Sequence, residues 1–247
     1  MKDVLDTHTH TIVSGHAYNT MTEMMQAAAE KKLELLAITD HAPAMPGSTH
    51  PYYFSNSDMI DREYYQEKFG GFTRYLIGVE LNILPGGEID LSQKDLSKMD
   101  VAIASIHPPC YPGCDIDENT RVCLRIMENP CINIIGHPDD GRFPVHMEAL
   151  VEGAKKYGKV LELNNHSLDP RTMRQNAREI DLRMLQLCKE YGQPIVVNSD
   201  AHTVTEIGNH AAAYQLLSET EFPEELVLNT SASRFLSFTN LPLRDAR

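Results

Sequence analysis

The sequence has no long hydrophobic run. Its 247 residues are 42% hydrophobic, yet no apolar stretch approaches the roughly 18 residues that a membrane-spanning helix requires. The opening residues Met1-Lys2-Asp3 leave no room for a secretion signal before an apolar run that already carries histidines. We therefore expect a cytoplasmic protein that is not inserted in a membrane.

Cysteines are few and odd in number. Five cysteines without two matching Cys-x-x-Cys pairs argue against a disulfide framework. Only Cys110 and Cys114 lie close together, and a structural zinc site normally needs four ligands. We expect free thiols.

Basic residues are outnumbered by acidic ones, 22 to 35, which gives a formal net charge of −13 at pH 7. Long nucleic acids and anionic membranes attract surfaces rich in Lys and Arg, so neither is an expected partner. A small anionic substrate is compatible with this charge if its binding site brings positive charge of its own. Bound metal ions would supply that charge.

What the sequence does contain is an alternation of short apolar, often β-branched runs with amphipathic stretches. This alternation is typical of βα units around a parallel sheet, and runs that are apolar on both faces suit buried parallel strands. No repeat or linker suggests a second domain, so we expect a single domain over residues 1–247. The predicted strands cover residues 3–6, 33–39, 75–80, 101–106, 132–136, 160–164 and 194–199.

Helices are predicted between these strands. Thr20 and Glu23 form a candidate capping box, and Gly158 and Gly192 are typical of residues that follow a helix end. A loop is expected over residues 43–56, where it would cover a substrate. The predicted helices cover residues 24–32, 57–69, 118–129, 146–157, 174–191 and 210–218.

Polar residues that can bind metal ions close most of the apolar runs. The carboxyl ends of parallel strands meet on one face of a barrel or sheet, so these residues should form one cluster. A pair such as His8 and His10 can direct both rings to one metal, and Glu80 is the natural bridging ligand. Asp6 and Asp40 could each accept a ring N–H from a ligand histidine or act as a local cap. The expected ligands are His8, His10, His16, His41, Glu80, His107, His137, Asp200 and His202.

A second set of residues follows the runs closely enough to contact a substrate. His166 follows the sixth run, and a contact to a ligand residue or to the substrate is more plausible for it than metal ligation. Arg142, Arg171 and Arg174 could each bind a phosphate with two hydrogen bonds, and we favour Arg171. His210 follows no apolar run and is expected at the surface.

These residues fall into recognisable motifs. They are His8-Thr-His10, His16, Thr39-Asp40-His41, Glu80, His107, Gly136-His137-Pro138 and Ser199-Asp200-Ala-His202. The set resembles the PHP family, named for polymerase and histidinol phosphatase, and in particular its small stand-alone bacterial phosphatases. The similarity spans nearly the whole chain.

The resemblance implies an α/β fold, a distorted (β/α)7 TIM-like barrel of the PHP type. It also implies three divalent metal ions, zinc in the first place and manganese or iron as alternatives. In this family pattern His8, His10, Glu80 and Asp200 would hold the first metal. Glu80, His107 and His137 would hold the second, and His16, His41 and His202 the third.

The function expected from this pattern is that of a metal-dependent phosphatase, a hydrolase of phosphomonoesters. A hydroxide that bridges metals in the trinuclear site would attack the phosphorus in line, while metals and a nearby arginine stabilise the developing charge. The expected partner is a small phosphorylated substrate. The expected catalytic residues are His8, His10, Glu80, Asp200 and His202.

Three alternatives stay open. A phosphodiesterase or nuclease acting on short nucleotides would use the same site. A metal-dependent amidohydrolase also begins with His-x-His at a barrel strand, although His16, His41 and His202 supply a third metal that such enzymes do not need. The third alternative is a non-catalytic regulatory PHP domain, against which the complete ligand set argues.

Overall fold

A computed structural model describes residues 1–69 and 73–241, which form a mixed α/β fold. The strands are β1 Leu5–Asp6, β2 Leu35–Ile38, β3 Arg74–Ile77, β4 Val79–Leu84, β5 Glu88–Ile89, β6 Ala102–Ser105, β7 Ile134–Ile135, β8 Val160–Asn164 and β9 Ile195–Asn198. The α-helices are α1 Met21–Glu30, α2 Tyr52–Ser55, α3 Arg62–Phe69, α4 Gln93–Leu96, α5 Ile116–Met127, α6 Met147–Tyr157, α7 Ala177–Tyr191, α8 Ala211–Glu219 and α9 Ala232–Phe238.

The strands form two sheets, ordered β1-β2-β3 and β5-β4-β6-β7-β8-β9. All neighbouring pairs are parallel except β4 with β5, so the predicted α/β class is confirmed. Single parallel bridges, Thr9 with Ala201 and His41 with Glu80, join the two sheets. Within the described residues, the two sheets are therefore joined at two places by a single bridge, where a continuous barrel would have a complete set of hydrogen bonds between neighbouring strands.

The predicted strand over residues 75–80 is divided between the sheets at Gly78. β3 ends just before this glycine and β4 begins just after it. A Cβ atom at Gly78 would lie 2.4 Å from the carbonyl oxygen of Val101, so the crossing needs a residue without a side chain.

The helix signals in the sequence mark real helix ends. Thr20 and Glu23 form the predicted capping box, and α1 begins at Met21, three residues before the predicted start. Gly158 and Gly192 follow α6 and α7 with left-handed φ angles of 65°.

Two predictions for the segment before β3 are wrong in part. The predicted loop over residues 43–56 contains the short helix α2. The predicted helix over residues 57–69 begins only at Arg62, because a separate 3-10 turn covers Ser57–Met59.

One core cluster draws a buried side chain from each of seven strands. These residues precede the polar strand ends along the chain, and Phe235 of α9 packs against them. This apolar cluster therefore supports, from within, the strand ends that carry the predicted ligands. Its strand residues include Leu5, Leu35, Leu76, Ile103, Ile134, Val160 and Val196.

The five cysteines are free, as predicted. In residues 1–69 and 73–241, no helix combines the length and apolar character that crossing a bilayer requires.

His210 does not lie at the surface, where the sequence placed it. The residue is 2% exposed, and its Nδ1 lies 2.8 Å from Asp3 Oδ2 while its Nε2 lies 3.8 Å from Asp6 Oδ1. Burial lowers the pKa of this imidazole, but hydrogen bonds and charge from the two carboxylates outweigh burial and raise the pKa to about 9. A charged His210 thus joins the start of α8 to the first residues of the chain.

We expect His210→Gln to lower the free energy of unfolding most at neutral and acid pH. Because the folded-state pKa of about 9 exceeds the ordinary 6.5, the contribution is complete below the ordinary value and disappears as pH rises through about 9. Such a shift corresponds to at most about 3 kcal/mol. Urea unfolding of both proteins across this pH window measures the difference, with the exposed His50→Gln as control. A difference that does not change with pH would contradict the ion pair.

Candidate metal centre

Glu80 lies at the centre of the predicted ligands. It is fully buried in β4, and its two carboxylate oxygens contact the ring nitrogens of five histidines. Oε1 lies 3.0 Å from His137 Nε2, 3.2 Å from His107 Nε2 and 3.3 Å from His8 Nε2. Oε2 lies 2.7 Å from His41 Nδ1 and 3.5 Å from His10 Nε2.

Asp200 is a second meeting point for the same rings. Its Oδ1 lies 3.3 Å from His10 Nε2 and 3.6 Å from His8 Nε2. His202 Nδ1 lies 2.9 Å from the backbone carbonyl of Asp200. His16 joins the group from the more exposed side, where its Nε2 lies 3.3 Å from the Nε2 of His41. The structure thus brings all nine predicted ligands together.

Several ligand atoms are buried without a hydrogen-bond partner among the described residues. They are Nε2 of His8, His10 and His202, together with Nδ1 of His41 and Oε2 of Glu80, which lie 2.7 Å apart but are not aligned for a hydrogen bond. Buried polar atoms without partners are costly, and imidazole and carboxylate atoms are ligands that divalent transition metals prefer. The site therefore fits divalent metal ions.

Three overlapping groups hold their ligand atoms within 4.8 Å of one another. They are His8, His10 and Asp200; His41, Glu80 and His107; and His10, His41 and His202. His10 and His41 each belong to two of these groups, so the groups adjoin one another.

The two carboxylates of the predicted ligand set have pKa values below their usual range. Burial alone would raise the pKa of Glu80, but the charges of His107 and His8 bring it well below its usual range. Asp200 has the same balance between burial and the charge of His8. Burial lowers the pKa of His10 well below its usual value, which favours the neutral imidazole that metal binding requires.

In three of the predicted ligand histidines, the ring nitrogen Nδ1 contacts a polar side chain that the sequence analysis did not identify. Such partners fix which ring nitrogen carries the proton and so direct the other nitrogen to a metal. His8 Nδ1 lies 2.8 Å from Glu162 Oε1, His10 Nδ1 3.0 Å from Ser14 Oγ, and His107 Nδ1 2.8 Å from Asn82 Oδ1.

Glu162 is the most connected of these missed residues. It is fully buried in β8, where its Oε1 also accepts a hydrogen bond from Asn198 and its Oε2 accepts one from the backbone N–H of His137. Burial raises the pKa of Glu162, but the neighbouring charge of His8 lowers it below the ordinary value. An acidic residue inside an otherwise apolar run, Val-Leu-Glu-Leu, was the signal in the sequence.

We expect Glu162→Gln to weaken metal binding by about 10- to 100-fold, the range for partners that orient a ligand histidine. The amide keeps the shape of the side chain but removes the charge next to His8. Competition with a chromogenic chelator measures the affinity, and the exposed Glu179→Gln is the matched control. Wild-type metal affinity in Glu162→Gln would mean that His8 does not need a carboxylate at its Nδ1 to bind metal.

Asp6 and Asp40 do not hydrogen-bond the ring of a predicted ligand in the described part of the chain, so this one of their two predicted roles is wrong. Asp40 accepts a hydrogen bond of 2.7 Å from the Ser14 hydroxyl instead. Asp6 accepts hydrogen bonds from the amide and hydroxyl of Ser199. Each carboxylate therefore holds a residue that is itself next to a ligand.

A cavity of about 340 Å³ opens on the ligand cluster. Arg174 lines it with a side chain that is 13% exposed. Its Nη2 donates to Asp200 Oδ2 at 3.0 Å, and its Nη1 donates to Ser167 Oγ at 2.5 Å. The lining residues are His16, His41, Met45, His107, His166, Arg174, Asp200 and His202.

The other predicted substrate contacts are placed differently. His166 lines the cavity, with its ring centroid 6.4 Å from that of His202. Arg171 is 80% exposed and pairs with Asp169, and Arg142 pairs with Asp140. The structure thus brings His166 and Arg174 to the cavity, whereas Arg171 and Arg142 are not among its lining residues. Substrate binding by His166, Arg171 and Arg142 stays a prediction.

Two of the predicted ligands have unusual backbone conformations. His137 has a φ of 26° and Asp200 a φ of 54°, in the left-handed region that side chains other than glycine rarely adopt. Such strain, of order 1–3 kcal/mol per residue, is typically found at functional sites.

A profile of the PHP domain family matches residues 6–226. The chain belongs to the PHP family. This PHP protein is 43% identical over 233 residues to a protein of Caldanaerobacter subterraneus subsp. tengcongensis named "Probable phosphatase", with 94% of this chain and 89% of the relative covered. It is 40% identical over 236 residues to a "Probable phosphatase" of Acetivibrio thermocellus, with 95% and 94% covered.

Among solved structures, the fold of the PHP protein is similar to that of histidinol phosphate phosphatase from Lactococcus lactis, a complex with zinc, L-histidinol and phosphate. The TM-score is 0.59 at 19% identity, with 90% of this chain and 95% of that chain covered. The predicted family is confirmed, and the shared fold supports the TIM-like interpretation of the two joined sheets.

Proposed function

We propose that this PHP protein is a metal-dependent phosphatase that cleaves small phosphomonoesters. The observation that carries the proposal is the convergence of the nine predicted ligands around Glu80 and Asp200, beside a cavity that five of them line together with the Arg174 guanidinium. Relatives that match over about nine-tenths of their length are named probable phosphatases, so the prediction of a phosphoesterase is confirmed.

Three divalent ions, zinc first and manganese or iron as alternatives, are the complement that we propose for the nine ligands. Three adjoining groups of candidate ligand atoms, which share His10 and His41, support more than one ion, and the number three follows the family resemblance. When bound, such ions polarise phosphoryl oxygens and lower the pKa of water towards about 7.

The residues of the chain contribute binding and orientation. Arg174 is placed to bind phosphate oxygens with its planar guanidinium, a geometry suited to paired hydrogen bonds. His166 is the imidazole of the cavity lining that lies outside the predicted ligand set, and we assign it proton donation to the leaving oxygen. Met45 is an apolar part of the lining and helps to exclude water.

The charge distribution favours a small substrate. The chain carries a net charge of −13, which repels polyanions, whereas Arg174 and bound cations would make the cavity itself attractive to one phosphate group. A cytoplasmic location, a single domain over residues 1–247 and catalytic roles for His8, His10, Glu80, Asp200 and His202 stay predictions.

The test combines elemental analysis with hydrolysis of p-nitrophenyl phosphate before and after chelation. We expect two to three metal ions per chain, with activity that chelation abolishes and added metal restores, because the ions supply the charge stabilisation. Bis(p-nitrophenyl) phosphate and an amide substrate, assayed in parallel, separate the diesterase and amidohydrolase alternatives. A fully metal-loaded protein without activity on p-nitrophenyl phosphate would overturn the proposal.

A further inference from the structure

Asp40 is a buried carboxylate that directly precedes the predicted ligand His41 in the sequence. It accepts hydrogen bonds from several hydroxyl groups. It is fully buried. Its Oδ1 accepts hydrogen bonds of 2.7 Å from the Thr11 amide and from Ser14 Oγ. Its Oδ2 accepts a hydrogen bond of 2.8 Å from Tyr53 Oη. One carboxylate thus connects the residues after His10 with the segment over residues 43–56.

The Ser14 hydroxyl occupies the next position in this chain of hydrogen bonds. It donates its single proton to Asp40, so it can only accept from its other partners. Those partners are the backbone N–H of His41 at 3.1 Å and His10 Nδ1 at 3.0 Å. His10 therefore carries its proton on Nδ1, and the Nε2 lone pair is left to face Asp200 Oδ1 at 3.3 Å.

Tyr53 brings the segment over the cavity into the same network. Burial, and then the charge of Asp40, raise the pKa of the Tyr53 phenol, so the group keeps its proton and donates. Two more contacts join this segment to the site, since the Ser48 hydroxyl donates to the carbonyl of His41 and Met45 lines the cavity. The position of the segment and the orientation of a ligand are thus linked by three consecutive hydrogen bonds.

We propose that Tyr53 is a positioning residue for metal binding, which acts through Asp40 and Ser14 to hold His10 as a ligand. The segment over residues 43–56 and the metal centre are then coupled, because displacement of Tyr53 releases Asp40, and with it the hydroxyl that fixes the His10 ring. The inference rests on the metal centre of the proposed function but does not depend on the reaction that the centre catalyses.

Zinc affinity of the full chain, measured by chelator competition without substrate, tests this relay. We expect Ser14→Ala to weaken zinc binding by about 10- to 100-fold, as for other partners of ligand histidines. Tyr53→Phe, which keeps the ring and removes only the hydroxyl, should weaken it by about 5-fold or more, because it acts one step further away. The control is Tyr75→Phe, whose hydroxyl donates to the Met25 carbonyl away from the site and whose loss should leave zinc affinity unchanged.

The double variant Ser14→Ala/Tyr53→Phe decides whether Tyr53 acts through Ser14. If it does, the double variant binds zinc no more weakly than Ser14→Ala alone, whereas independent contributions would add. Additive losses would overturn the relay, and so would unchanged zinc affinity in Tyr53→Phe, whatever the effect of that variant on the Tm of the metal-free protein. Because no substrate is used, a failed relay leaves the phosphatase proposal intact, and a protein without phosphatase activity can still show the relay.

Discussion

We expect Glu80→Gln to lower kcat/KM by about 10³-fold or more, which corresponds to several kcal/mol of lost charge stabilisation. Glu80 contacts five histidine rings through its two carboxylate oxygens, whereas Asp200 contacts three through Oδ1. The amide has nearly the same shape but no charge, and it offers an N–H group where a ligand oxygen is needed. The variant should therefore also retain fewer metal ions.

Glu67→Gln is the matched control for this variant. Glu67 is an exposed residue of α3, and its charge contributes nothing to the cavity, so activity should equal that of the wild type. Steady-state kinetics and elemental analysis on both variants separate lost metal from lost catalysis. A Glu80→Gln protein that keeps its metal ions and most of its activity would show that Glu80 is not a ligand.

We expect Arg174→Ala to lower kcat/KM by about 100-fold, the scale for removal of one group that stabilises developing charge. Arg174 lines the cavity and donates to Asp200, whereas Arg171 is 80% exposed and pairs with Asp169. Arg171→Ala should accordingly change kcat/KM by less than about 3-fold, as for an exposed ion pair. Kinetics with p-nitrophenyl phosphate measure both variants.

Arg174→Lys separates charge from geometry. Lysine keeps the charge but lacks the planar fork, so an intermediate loss indicates paired hydrogen bonds to the phosphate. Because Arg174 also contacts Asp200, metal content must accompany the kinetics. A larger loss in Arg171→Ala than in Arg174→Ala would return the phosphate contact to the residue that the sequence favoured.

The ligand cluster could be predicted because it depends on topology more than on detail. Residues such as His107 and His137 follow short buried runs, and parallel strands bring such positions to one face whatever the loops between them do. Glu162 was not predicted because it lies inside its strand. Alternating apolar and polar residues are common in strands, so a polar residue at this position did not indicate a site. Only its full burial shows that it serves the site.

The choice between Arg171 and Arg174 shows where sequence reasoning ends. The two residues lie in one loop, and their positions in the sequence do not reveal which of them is drawn away from the cavity by an ion pair with a neighbouring side chain. Asp169 pairs with Arg171 locally, while Asp200, 26 residues further along the chain, pairs with Arg174. The division of one predicted strand at Gly78 is similar, because it depends on how closely Val101 approaches in space.

The left-handed backbone at His137 sets the stability of the protein against its proposed chemistry. Glycine at this position would relax the chain, so His137→Gly should make the metal-free protein harder to unfold. The same change would remove a predicted ligand. At Asp200 the balance is different, because loss of the carboxylate would leave the largely buried Arg174 without its ion-pair partner. A lineage of this protein that adapts to heat would therefore have to gain stability at positions away from the strained ligand.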